Sequence, residues 1–233
     1  ADGAGADPRD RPFLAPAARA RLRSSISASP GPEDRPESPQ PGSAPRRAHR
    51  SSGMHRIFLL SPASCRGKRA QLVFRDGADF PLARALRVPP GLELGDVFTF
   101  LSGLYFRGKL RYARAFGRAP DGLSATQIIT TSRGLLPPET PVTVDDLREF
   151  AARDIRADEP AFIEPLERAA RRVRERLPDG ADVVLLGSIA TDKYLDALLR
   201  VFDGRLRFPE AFIGRGDMSR GGLLLRAADA GVE

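Results

Sequence analysis

From Met54 onward, apolar and polar positions fall into strand-like and helix-like patterns that alternate; before it they fall into neither. The run Arg56-Ile57-Phe58-Leu59-Leu60-Ser61 is apolar at four consecutive positions and reads as a first strand covered on both faces. Gln127-Ile128-Ile129-Thr130-Thr131 is short and β-branched. Asp182-Val183-Val184-Leu185-Leu186 is a continuous apolar run stopped by Gly187, and Leu206 to Phe208 is a weaker strand stopped by Pro209. Helical spacings lie between them. Glu164 to Leu177 carries Leu166, Ala170, Val173 and Leu177 on one face, and Thr191 to Phe202 carries Leu195, Leu198, Leu199 and Phe202 on one stripe. Thr143 with Asp146 caps a helix running to about Ile155. Asp96 to Phe116 reads as two helical pieces broken near Gly108, and Ser219 to about Ala230 as a last helix with Ser219 as its cap. The alternation predicts an α/β fold, a mostly parallel buried sheet with helices on both faces. No internal repeat is evident.

Composition divides the chain at the same place. Residues 1–53 hold nine prolines and no valine, lysine or tyrosine. So little apolar surface cannot offset chain entropy, and this Pro/Arg-rich extension is expected to be a disordered tail. The folded part is then a single domain over 54–233. Met54 reads as the natural start, with 1–53 as an upstream extension. At the other end Gly231 reads as a helix terminator. Val232-Glu233 reads as the opening of a further strand, consistent with a C-terminally truncated domain.

The net charge of +7 narrows the function less than it suggests, because nine Arg and six acidic residues lie in the extension. The domain keeps 28 basic and 24 acidic residues, a mild excess that permits a phosphate partner without demanding nucleic acid. Arg outnumbers Lys 34 to 3, the mark of GC-rich coding. The single cysteine, Cys65, excludes an intramolecular disulfide and fits a reducing compartment. No apolar stretch is long enough to span a bilayer and no secretory signal is evident, so the expected location is the cytoplasm, with no membrane partner. Two histidines and one cysteine weigh against zinc; no metal site and no cofactor is read from the sequence.

Candidate chemistry lies on the turns that follow the strands. The first is Ser61-Pro62-Ala63-Ser64-Cys65-Arg66-Gly67-Lys68-Arg69. It fails as a P-loop, since Pro62 takes the first glycine position and Arg69 the magnesium-binding hydroxyl, but its cations and hydroxyls suit an anion. A solvated basic turn is the plainer alternative. Cys65 has cationic neighbours but no histidine within reach, so a bystander thiol is favoured over a nucleophile. The second turn contributes Ser132 and Arg133. The third runs Gly187-Ser188-Ile189-Ala190-Thr191-Asp192-Lys193-Tyr194 into a helix N-terminus, where free N–H groups favour phosphate; simple capping by Ser188 and Thr191 competes. The fourth, Gly214 to Gly222, departs from a dinucleotide fingerprint at Ser219, yet sets Arg215 and Arg220 about a glycine-rich run. Lys68, Lys109 and Lys193 stand out in an Arg-rich chain, and two of them lie in these turns. Parallel strands bring such turns to one sheet edge, where Asp192 and Asp217 are the nearest acids. The candidate phosphate- or nucleic-acid-binding residues are Ser61, Ser64, Lys68, Arg69, Ser132, Arg133, Gly187, Ser188, Lys193, Arg215, Ser219 and Arg220. No catalytic residue is assigned.

Leu60-Ser61-Pro62-Ala63, Gly95-Asp96-Val97-Phe98-Thr99, Gly134-Leu135-Leu136-Pro137, Leu186-Gly187-Ser188 with Lys193-Tyr194, and Arg215-Gly216-x-Met218-Ser219-Arg220 occur in that order. This succession resembles the bacterial peroxide-stress proteins, and the chain is also similar to a group of uncharacterised bacterial proteins. The resemblance implies the α/β fold, a basic cleft, DNA binding and a stress response that limits iron-dependent oxidative damage. The family has a Lys directly after its Ser-Pro-Ala, where this chain has Ser64, and its DNA-binding helical region is shortened here around 79–95. DNA or a nucleotide is therefore the expected partner. A nucleobase- or nucleotide-processing enzyme using Lys68, Lys193 or Asp217 is the alternative, and an adaptor whose basic turns are only solvated surface is a third.

Overall fold

Residues 55–187 and 193–233 are described by the computed structural model; the expected tail, the start at Met54, and Ser188 to Asp192 lie outside them. In chain order the elements are β1 (Arg56–Leu60), α1 (Lys68–Phe74), α2 (Pro81–Ala85), β2 (Leu92–Glu93), α3 (Leu94–Ser102), α4 (Leu104–Phe116), β3 (Thr126–Ile129), β4 (Leu135–Leu136), β5 (Pro141–Val142), α5 (Val144–Ala152), α6 (Pro160–Glu175), β6 (Asp182–Leu186), α7 (Leu195–Phe202), β7 (Leu206–Arg207) and α8 (Asp217–Ala230). Short 3₁₀ turns at Asp203–Arg205 and Glu210–Phe212 flank β7.

The larger sheet has the order β4-β3-β1-β6-β7. β3, β1, β6 and β7 are parallel, and only the edge strand β4 runs antiparallel. The four-residue apolar run of β1 is explained by its central place. Side chains alternate across a strand, and both sides are covered. Phe58 and Leu60 enter a core with Val97, Phe98, Phe106 and Leu110 of α3 and α4 and Leu147 and Phe150 of α5. Ile57 and Leu59 enter a second core with Phe162, Leu166 and Val173 of α6 and Leu198 and Val201 of α7. The α/β class, the mostly parallel sheet and the helices on both faces are as the sequence predicts. β2 and β5 form a separate antiparallel pair.

The direction in which the chain leaves adjacent strands shapes the functional end of the sheet. After β1 it turns to the face covered by α3 and α4; after β6 it turns to the face covered by α7. Paired neighbours whose connections part in this way open a crevice at their C-terminal ends. Ser61 and Gly187 stand at that point.

Several predicted boundaries are corrected. The break in 96–116 falls at Gly103, not near Gly108. Gly103 has φ +67°, which lets the chain turn between α3 and α4. Gly108 lies inside α4, where a Cβ would come 2.6 Å from the Gly221 carbonyl of α8, so it permits a close helix crossing. The last helix starts at Asp217 with Gly216 as N-cap, and Ser219 does not cap it; its Oγ accepts instead from Arg215 Nη1 at 3.3 Å. α6 begins at Pro160, which takes the first-turn place, rather than at Glu164. The Thr143–Asp146 capping box is present, and its helix ends at Ala152.

Candidate functional site

At the crevice the first residue past β1, Ser61, is 9% exposed and is held from below by Lys109 of α4. Lys109 Nζ donates to the Ser61 carbonyl at 2.5 Å and to Ser61 Oγ at 2.8 Å. It also sits 4.5 Å from the Tyr105 ring centre and 4.9 Å from that of Phe106. Lys109 is 1% exposed and forms no ion pair among the described residues. Burial pushes its amine down to about 7, against a smaller upward pull from Asp217. An ammonium buried without a carboxylate carries a desolvation cost of several kcal/mol, and an amine that sheds its proton avoids that cost. Tyr105, one turn earlier, points its hydroxyl into the same region. Burial pushes that hydroxyl up to about 12; Arg220, Asp217 and Tyr194 act on it electrostatically, yet it makes no full hydrogen bond among the described residues.

Gly187 closes the crevice on the β6 side. A Cβ there would come 2.8 Å from Tyr194 Oη and 2.9 Å from Ser61 Cβ, so only glycine lets the two strand ends approach. Gly187 also walls a cavity of about 170 Å³ with Phe208, Pro209, Phe212, Ile213, Gly214 and Arg220. A larger cavity of about 460 Å³ opens on the β1 and β3 side. The β1 turn (Pro62 to Arg66), Thr131 after β3, Phe150, the segment Arg153 to Arg156, and Lys193 wall it. Arg66 pairs with Asp154, and Arg156 pairs with Asp158 at 2.8 Å. Arg153 and Lys193 are exposed and have no acidic partner among the described residues. The cavity therefore has a net positive wall.

The sequence-derived candidates divide accordingly. Ser64 and Lys193 line the large cavity, Gly187 and Arg220 line the small one, and Ser61 stands at the crevice. Ser188 lies outside the described residues. Lys68 is the exposed first residue of α1 and lines neither cavity. Arg69 donates to the Phe100 carbonyl at 2.7 Å and ties α1 to α3. Ser132 donates to Glu149 at 2.5 Å, while Arg133 pairs with Asp146 and Glu149 and lies over the Phe150 ring. Those bonds anchor the β3–β4 turn to α5. They hold the Glu149 carboxyl below its ordinary range, chiefly through the Arg133 hydrogen bond. The Arg215 side chain donates to Ser219 Oγ at 3.3 Å. Arg220 is not the exposed loop residue that its setting suggests. Its side chain is 13% exposed, and Nε and Nη2 both donate to the Phe212 carbonyl, at 3.2 and 3.1 Å.

Three of the four turns thus serve two cavities, not one, and the second, with Ser132 and Arg133, lines neither. Cys65 is buried, and burial pushes its thiol up to about 12, which fits an inert thiol. Residues that the turn-based reading passed over are Arg66, Thr131, Arg153, Arg156, Tyr105, Tyr194 and above all Lys109. Lys109 carried a signal as one of three lysines among 34 arginines, and Arg66 and Tyr194 lay in the quoted turns. The others reach the site through the fold. No helix among the described residues is long and apolar enough to cross a membrane. In comparisons with known proteins, the chain matches no family model, no curated protein and no solved structure, so the reading of the site rests on its geometry.

Proposed function

We propose that the protein binds the phosphate of a nucleotide, free or within DNA, in the 460 Å³ cavity beside the strand-end crevice. The observation that carries this reading is the wall itself. Arg66, Arg153, Arg156 and Lys193 face one acid, Asp154, with the hydroxyls of Ser64 and Thr131 between them. Guanidinium and ammonium groups bind phosphate by charge-assisted hydrogen bonds, and the Ser64 hydroxyl supplies a neutral donor, while the Thr131 hydroxyl donates to the Phe150 carbonyl at 2.8 Å. The size lies within the usual range for small-molecule sites, and the place, the C-terminal edge of a parallel sheet at a switch in connection direction, is where α/β folds hold such ligands.

The test is titration of the wild type and of Arg153→Ala and Lys193→Ala with a mononucleotide and with duplex DNA, each at two salt concentrations. Loss of one charge-assisted bond, worth roughly 1.5–3 kcal/mol, weakens binding about tenfold or more. Affinity for DNA that falls steeply with salt supports nucleic acid and the role in oxidative-stress protection implied by the resemblance. Saturable mononucleotide binding without DNA affinity supports the alternative, a nucleotide-processing enzyme, which the buried Lys109 amine at the same sheet edge favours. Unchanged affinities in both variants would reject the reading.

A further inference from the structure

We infer that the ligand of the 460 Å³ cavity is a free nucleoside monophosphate, its base seated on an apolar floor and its phosphate at a charged rim. This rests on the phosphate reading and narrows it from nucleotides in general to a mononucleotide outside any duplex.

The walls of the cavity segregate by depth. Its apolar lining residues are Pro62, Ala63, Cys65, Phe150 and Ile155. Ala63, Cys65 and Phe150 are 6%, 5% and 1% exposed, and Pro62 and Ile155 are half-buried. Its cationic lining residues, Arg66, Arg153, Arg156 and Lys193, are all exposed. Buried lining residues meet a cavity at its bottom and exposed ones at its mouth, so this one is apolar below and positive above. The floor has a structural origin. Ala63, Cys65 and Phe150 belong to the core on one face of the sheet, and Ile155 packs against the core on the other. The floor is therefore the end of the sheet between its two cores.

The floor is also held in place. Arg66 Nε donates to the Ala151 carbonyl at 2.5 Å and Nη1 pairs with Asp154, which ties the β1 turn to the segment around the end of α5. The Thr131 hydroxyl ties the same segment to the end of β3 through the Phe150 carbonyl. A site built in advance spares its ligand the cost of ordering it.

Inorganic phosphate would use the rim alone. So would duplex DNA, whose phosphates face outward while its bases stay paired and stacked. A ligand that fills both regions is an anion carrying a flat, weakly polar body on a short arm, which is the build of a nucleoside monophosphate. The volume lies toward the low end of the range for small-molecule sites and suits one such molecule. Thr131 has given its proton to Phe150 and keeps a lone pair, and Ser64 offers an exposed hydroxyl. These suit the sugar hydroxyls and ring nitrogens of a nucleoside, which an alkyl phosphate lacks.

The experiment is calorimetric titration of the full chain, wild type and Ile155→Asn, with inorganic phosphate, n-butyl phosphate, duplex DNA and each of the four common ribonucleoside monophosphates. At least one monophosphate should bind wild type about tenfold or more tighter than inorganic phosphate and butyl phosphate do. Ile155→Asn should remove most of that margin and leave the affinity for inorganic phosphate within about twofold; if that variant fails to fold, the wild-type comparison decides. Phosphate binding with no such margin for any monophosphate, a margin kept in folded Ile155→Asn, or duplex DNA bound more tightly than every monophosphate would overturn this inference and leave the phosphate reading standing. No binding of phosphate or of any phosphate ester would reject both.

Discussion

At position 109 an amine occupies a place where methionine would fill similar volume without desolvating a charge. The consequence is a stability that depends on pH, with a definite sign. The folded-state value of about 7 lies below the ordinary 10.5, so between those values the unfolded chain binds more protons and stability rises with pH. Cys65 and Tyr105, both raised by burial, act oppositely above their ordinary values of 9.0 and 10.0. The clean window is therefore from about 7 to 9.0. There the wild type should gain up to about 1.4 kcal/mol per pH unit in urea unfolding. Lys109→Met should lack that rise; an identical slope in both proteins would count against a buried neutral amine. Arg220 gives a second expectation. Its guanidinium satisfies the Phe212 carbonyl with two bonds, so Arg220→Ala should cost about 1–3 kcal/mol, read as a lowered thermal midpoint. An unchanged midpoint would mean that these bonds contribute nothing net. At this scale the sequence exposed Lys109 as a rare residue, but its mid-helix position gave no sign that α4 delivers it under Ser61.

Among the elements, the crossing of α4 and α8 positions Lys109, Tyr105, Asp217 and Arg220 together. Paired glycines make the crossing possible: Cβ atoms at 108 and 221 would lie 2.6 and 2.8 Å from the opposing backbone. Gly221→Val should therefore push α8 away and cost about 1–3 kcal/mol or more as overpacking. Chemical denaturation would report it, and a neutral result would show that the crossing is loose. Thr143→Ala should cost about 1 kcal/mol by removing the capping box of α5. The strands and long helices were legible because burial on one or both faces imposes a period on the sequence. The two-residue strands β2, β4 and β5 are too short to show any period. The helix break was placed at the wrong glycine because both glycines look alike in sequence. Only the tertiary crossing tells a turn glycine, Gly103, from a packing glycine, Gly108.

For the whole molecule, the parallel sheet and the opposite turns after β1 and β6 bring residues far apart in sequence to one edge. That convergence was legible in outline, since turns after parallel strands must share an end. Its division into two cavities was not, because Arg153 and Arg156 come from the connection after α5, which carries no strand signal. Equally, Ser132 and Arg133 looked like ligand-binding residues until Glu149 and Asp146 were brought beside them by α5. The central claim is that the larger cavity holds a phosphate group. The most direct measurement is a crystal soaked with tungstate, a phosphate mimic, with the ion located by its anomalous scattering. The account predicts a peak within hydrogen-bonding distance of Arg153 and Lys193, lost in the double alanine variant. A peak placed only elsewhere, or no bound ion with those side chains ordered, would contradict it.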